Sequence, residues 1–102
     1  MPDITRDVML AFARVHVLHH AAGERIFGVG MMDELARHGY ALGPGTLYPL
    51  LHRLETDGLL KVESQVVAGK ARKYYTITRR GRAALAAIRP KLKELADEVL
   101  SE

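Results

Sequence analysis

Three patterns in this sequence predict a mainly α fold with a small β-hairpin. The first is a leucine stripe. Leu47, Leu50, Leu51 and Leu54 fall at i, i+3, i+4 and i+7, which lines four apolar side chains along one face of a helix. The second is the link Gly39-Tyr40-Ala41-Leu42-Gly43, which joins that helix to a short apolar-periodic stretch before it. Two short helices with a glycine-containing turn between them are the outline of a helix-turn-helix. The third is a pair of runs rich in β-branched and aromatic residues, 59–67 and 72–77, flanking Ala68-Gly69-Lys70-Ala71 as a hairpin loop. With a further helix ahead of them, the order is helix, helix, helix, hairpin, that of a winged helix-turn-helix. A final helix, read as a dimerisation helix, completes the chain. The expected division is a winged unit over 1–78 and the dimerisation helix over 79–102.

The first helix is expected over about 3–20, where Ile4, Val8, Phe12, Val15 and Leu18 recur at helical spacing and Asp3 or Thr5 serves as cap. Leu10 and Val17 belong to a second apolar strip. A helix apolar on two sides in a small protein packs on its own domain and on something else, most simply a second subunit. Residues 21–27 read as a connection. The second helix, over about 29–38, turns Met31, Met32 and Leu35 inward and stops at Gly39. In the third, Gly43 suits the N-cap and Pro44 the first helical position, where a missing N–H costs nothing. Pro49 cannot donate to the Gly45 carbonyl, so either the first turn kinks or the regular helix begins near Thr46, with Thr46 as its cap. Asp57-Gly58 ends it.

Thr78 caps the last helix. There Leu85, Ile88, Leu92, Leu95 and Val99 are spaced 3, 4, 3, 4, the seam of a helix pair, while Pro90 falls on the outer side and implies a bend. The seam either packs on a second copy or folds back on its own domain. The dimer is the reading adopted, with Val8, Phe12 and Val15 joining Leu85, Ile88, Leu92, Leu95 and Val99 at the interface.

Composition narrows the chemistry. One hundred and two residues make one domain, and the absence of cysteine excludes disulfides and thiolate metal sites. The apolar run at 8–18 is broken by Arg14 and His16, so no signal peptide is expected, and no stretch is long enough to span a bilayer. A cytoplasmic location without a membrane partner is expected. No Ser/His/Asp set, phosphate-cradling glycine loop or paired carboxylate site emerges, so the chain is not read as an enzyme and no cofactor is assigned. The net charge of +3 is unevenly spread. Residues 1–42 carry net −1, residues 43–82 net +5 and residues 83–102 net −1. A basic middle segment containing the leucine-striped helix is the electrostatic footprint of a nucleic-acid binder.

That helix shows Gly45, Pro49, His52 and Thr56 on its outer face, with Tyr48 on one flank and Thr46 and Arg53 on the other. In a major groove, Tyr48, His52 and Arg53 are the candidates for base edges and Thr46 for a phosphate at the helix start. Arg53 has an equally good alternative, an i,i+4 ion pair with Asp57. Lys70, Arg72 and Lys73 at and beyond the hairpin tip are assigned to phosphate or the minor groove. Arg79, Arg80 and Arg82 extend the patch. Tyr74 and Tyr75 point to opposite faces of one strand, so one belongs to the core.

The segment Gly39-Tyr40-Ala41-Leu42-Gly43-Pro44-Gly45-Thr46-Leu47-Tyr48-Pro49-Leu50-Leu51-His52-Arg53-Leu54-Glu55, followed by Gly58-Leu59-Leu60, resembles the helix-turn-helix signature of PadR-type transcriptional regulators. Gly69-Lys70-Ala71-Arg72-Lys73-Tyr74-Tyr75-Thr76-Ile77-Thr78, then Gly81-Arg82-Ala83-Ala84-Leu85, is similar to that family's wing and the start of its last helix. The resemblance covers about 8–88. It implies a cytoplasmic, homodimeric, DNA-binding regulator, most often a repressor, whose C-terminal helix packs against the partner's N-terminal helix. Two recognition helices about 34 Å apart would then read a pseudo-palindromic operator in double-stranded DNA. An effector small molecule is possible in such a protein, and none is identified. Where the family usually has Ser or Thr, this chain has Gly43, a weaker cap. Two other readings stay open. One is a winged helix that binds protein instead of DNA. The other is a metal sensor built on His16, His19 and His20, of which two could face zinc or nickel. Lacking cysteine and any evident neighbouring carboxylate, these histidines are read as an interface or solvent face, and no metal is assigned.

Overall fold

In the computed structural model, which describes residues 3–101, the chain runs α1 (Ile4–Gly23), β1 (Ile26–Phe27), α2 (Gly28–Arg37), α3 (Pro44–Thr56), β2 (Leu60–Val67), β3 (Lys70–Ile77) and α4 (Arg79–Val99). Asp3 caps α1, its Oδ1 accepting the Arg6 N–H at 3.2 Å, and the helix continues almost a turn past the expected end at His20. α2 and α3 stop by the same device. Gly39 N–H donates to the Ala36 carbonyl and Tyr40 N–H to that of Leu35. At the end of α3, Gly58 N–H donates to Glu55 and Leu59 N–H to Leu54, all within 2.9–3.0 Å. These paired bonds need a left-handed residue just past the helix, and Gly39 (φ 90°) and Gly58 (φ 78°) supply it without a side-chain clash.

α3 is regular from Pro44. Gly43 is its N-cap without a side-chain bond, and the N–H groups of both Thr46 and Leu47 reach the Gly43 carbonyl, at 3.1 and 3.0 Å. Thr46 therefore lies inside the helix and is not its cap. Pro49 is tolerated because it sits on the exposed face, as does Gly45, whose carbonyl it cannot bond.

The core joins Leu47, Leu50, Leu51 and Leu54 of α3 to Met31 and Leu35 of α2, Leu60 of β2, Tyr75 and Ile77 of β3, and Leu85 of α4. α1 presents Ala13, Val17, Leu18 and Ala21. Of the stripe of large residues on α1, Leu18 is buried and Val15 half-buried, while Ile4, Val8 and Phe12 are exposed. Two alanines on the inner face, Ala13 and Ala21, let α1 lie close to the winged unit.

Two corrections concern the sheet. Residues 26–27 form a third strand, so the antiparallel sheet has the order β1-β3-β2, with Ile26 opposite Tyr75 and Phe27 opposite Tyr74. The hairpin loop is two residues, Ala68-Gly69, with Val67 paired to Lys70. Lys70 and Ala71 therefore belong to β3. Both turn residues have positive φ, 52° and 78°, the twist that suits a tight hairpin. Tyr75 is the tyrosine that enters the core. Thr78 joins the helical and sheet parts. Its Oγ1 donates to the Gly58 carbonyl at 2.6 Å and accepts the Gly81 N–H at 3.0 Å, so the cap of α4 also holds the end of α3. α4 continues through Pro90, with Leu85 buried, Ile88 and Leu92 half-buried, and Leu95 and Val99 exposed.

Candidate nucleic-acid interface

The outer face of α3 is built as its periodicity requires. Gly45, Pro49, His52 and Thr56 are all exposed opposite the four buried leucines. His52 pairs loosely with Glu55, Nδ1 to Oε1 3.7 Å. Thr46 is half-buried near the helix start. Tyr48, 43% exposed, lays the outer end of its ring over the first residue of α2, where the lack of a side chain on Gly28 leaves room for it.

Arg53 takes the alternative partner. Its Nε donates to Asp57 Oδ2 at 3.1 Å, and it lines a hollow with Arg14, Leu18 and Ile88, on the α1/α4 side of α3. Tyr48 lines a different groove, of about 640 Å³, between the start of α2, the start of α3 and the wing. Lys70, Arg72 and Lys73 all border that groove. The structure thus brings Tyr48 together with the three wing cations and leaves Arg53 on the far flank.

Within the wing, alternate residues of β3 take opposite faces, so Lys70, Arg72 and Tyr74 share one and Lys73 and Tyr75 the other. The Arg72 guanidinium is 4.3 Å from the Phe27 ring centre, and Arg25 lies 4.1 Å from that of Tyr74. Tyr74 and Phe27 meet edge to face at 5.7 Å. Two arginines and two rings thus brace the wing at its base. Arg25 and Phe27 had no signal in the sequence, because both depend on the pairing of β1 with β3. Arg82 donates to the Ala22 carbonyl at 3.3 Å and so is tied to the end of α1, away from the wing, while Arg79 and Arg80 are exposed.

The residues assigned to a dimer seam lie on α1 and α4. Val8 and Phe12 on α1 and Leu95 and Val99 on α4 are exposed, as is Ile4 beside them; Leu95 (52%) and Val99 (67%) are the barest of the assigned set. Phe12, Val15 and Leu92 share an apolar hollow of about 420 Å³ between the two helices. Leu85 differs from the rest, being buried in the core of its own chain. Among the described residues no helix is long and apolar enough to cross a membrane.

Residues 17–87 match the family described as Transcriptional regulator PadR-like family. The chain is 55% identical over 95 residues to the transcriptional regulator Rv3488 of Mycobacterium tuberculosis, covering 93% of this chain and 89% of that protein. Its fold is similar to that of a PadR family transcriptional regulator from Eggerthella lenta (TM-score 0.82, 32% identity, 94% of this chain and 85% of that one). It is similar also to a PadR-like transcription factor from Bacteroides fragilis (TM-score 0.82, 27% identity, 96% of each chain). These relatives are regulators and not enzymes, and the chain belongs with them to the PadR-like family of transcriptional regulators.

Proposed function

We propose that this regulator binds double-stranded DNA as a homodimer and represses transcription from a pseudo-palindromic operator. The observation that carries the reading is the groove between the start of α3 and the wing, bordered by Tyr48, Lys70, Arg72 and Lys73. In this arrangement α3 enters the major groove with His52 and Tyr48 toward base edges and Thr46 toward a phosphate, while the wing cations follow the backbone. In the uncapped first turn of α3, where Pro44 has no N–H and Thr46 N–H bonds the Gly43 carbonyl, the Gly45 N–H is left for a phosphate oxygen. Arg79 and Arg80 support the reading through their position. Cations in the first turn of α4 oppose its dipole at about 0.3–1 kcal/mol each, so they are not there for helix stability.

Arg53 reads a base only by leaving Asp57. Release costs little, because an exposed ion pair is worth about 0–1 kcal/mol, and a bidentate contact to guanine would discriminate between bases by about 1–3 kcal/mol. The division into a DNA-binding unit over 1–78 and a dimerisation helix over 79–102 follows from the uncovered stripe on α4, which meets that of α1 through a two-fold partner. A dimer seated across promoter DNA represses by occupancy alone.

Footprinting on DNA upstream of the chain's own coding region tests the reading, with a symmetric protected site expected. Arg53→Ala should flatten base preference by about 1–3 kcal/mol at one position per half-site. Lys70→Ala should weaken binding to all sequences and lower the salt slope by about one ion. Binding that neither change affects on any DNA would show that the surface is misassigned.

A further inference from the structure

We propose that His16, His20 and His38, together with Glu34, form a binding site for one divalent transition-metal ion of the zinc class between α1 and α2. One ring nitrogen of each imidazole lies within 4.8 Å of the others. Glu34 Oε1 is 3.6 Å from His20 Nε2 and 3.2 Å from His38 Nε2. A tetrahedral ion with bonds of about 2.0–2.1 Å holds its donors about 3.4 Å apart, so modest side-chain rotations close the set. The sequence supplies the donors as two one-turn pairs, His16 with His20 on α1 and Glu34 with His38 on α2, facing each other where the helices pack. His19, the third histidine of the α1 cluster, is exposed and is not a member.

Three observations separate this cluster from histidines scattered on a surface. His20 Nε2 is buried without a hydrogen-bond partner, a state folded proteins rarely leave unexplained. The rings are held in place, His16 stacked on His38 at 4.7 Å and edged by Tyr40 at 5.1 Å. Arg37 pairs with Glu34 through Oε2, which leaves Oε1 turned toward the imidazoles. Burial is the largest influence on the His16 and His20 imidazoles and lowers the pKa of both, the neighbouring histidines adding to it and Glu34 opposing it. Three imidazoles and a carboxylate without thiolate suit Zn²⁺, Ni²⁺ or Co²⁺. A bound ion would tie α1, which carries the uncovered apolar stripe, to α2, the first helix of the helix-turn-helix. The inference rests on the α1–α2 geometry and is independent of DNA binding, which footprinting tests separately.

The experiment is a titration of the metal-stripped full chain with Zn²⁺ against a competing chelator, repeated with Co²⁺ to follow its visible d–d absorption. We expect one ion per chain and the intense Co²⁺ spectrum of a four- or five-coordinate site. His20→Gln, His38→Gln and Glu34→Gln should each weaken zinc binding by about 10–100-fold or more, whereas His19→Ala and His52→Ala should leave it unchanged. His38 is exposed, so its variant should keep the fold, as circular dichroism would verify. No saturable uptake overturns the proposal. So does a folded His38→Gln protein that binds zinc as tightly as the parent, or an equal loss in the His19 and His52 variants.

Discussion

α3 and α4 carry apolar stripes of nearly the same spacing, and the fold treats them in opposite ways. Leu47, Leu50, Leu51 and Leu54 of α3 are all buried within the chain, against α2, β2 and the rest of the core. On α4, burial declines along the helix from Leu85 through the half-buried Ile88 and Leu92 to Leu95 and Val99 in solvent. Both helices end with capped or regular backbone, so propensity does not explain the difference. What differs is the cover. The short helix before α3 and the strand after it are held close by tight turns, whereas α4 has its main contacts with α1 and the base of β3. A stripe closed by its own chain contributes to folding; the one left open is the surface through which we propose that two copies associate.

The largest effect should come from the closed stripe. Leu51→Ala removes a fully buried side chain where the surrounding leucines cannot collapse, and should cost about 2–5 kcal/mol in denaturant unfolding. A loss under about 1 kcal/mol would mean that the core around α3 relaxes to fill the space. Next is Leu95→Glu on the open stripe. It should convert the proposed dimer to monomer in sedimentation equilibrium while leaving the unfolding free energy of the monomer within about 0.5 kcal/mol. If the parent chain is itself monomeric, or the variant still dimerises, the contrast between the two stripes loses its functional meaning. The smallest effect should arise at the wing tip, which packs on nothing. Ala68 holds φ 52°, a conformation that costs an L-residue about 1–2 kcal/mol, so Ala68→Gly should stabilise by up to about 1 kcal/mol. A melting temperature that falls on this change would show that the Ala68 methyl makes a contact worth more than the strain.

Legibility in the sequence followed the range of the physics. The stops at Gly39 and Gly58, the cap at Thr78 and the four leucines of α3 were all readable, because each is set by residues within a turn or two. β1 was not. Two residues have no period, and Ile26-Phe27 is a strand only because β3 lies beside it. On α1 the two apolar sides were readable, but periodicity did not show that Ala13 and Ala21 join Val17 and Leu18 as what the core accepts. Arg53 had two partners of similar merit, and the structure pairs it with the one at the end of its own helix, Asp57.

By itself the sequence determined the order of elements, the ends of most of them, the basic middle segment and the family, since these depend on local period, turn chemistry and composition. Only the tertiary structure decided which side of α1 faces inward, that Tyr48 joins the wing cations while Arg53 does not, and that His38 and Glu34 meet His16 and His20. The reason is geometric. Local patterns fix where a side chain points on its own element, but the neighbour it meets depends on how elements pack, through contacts distant in the chain.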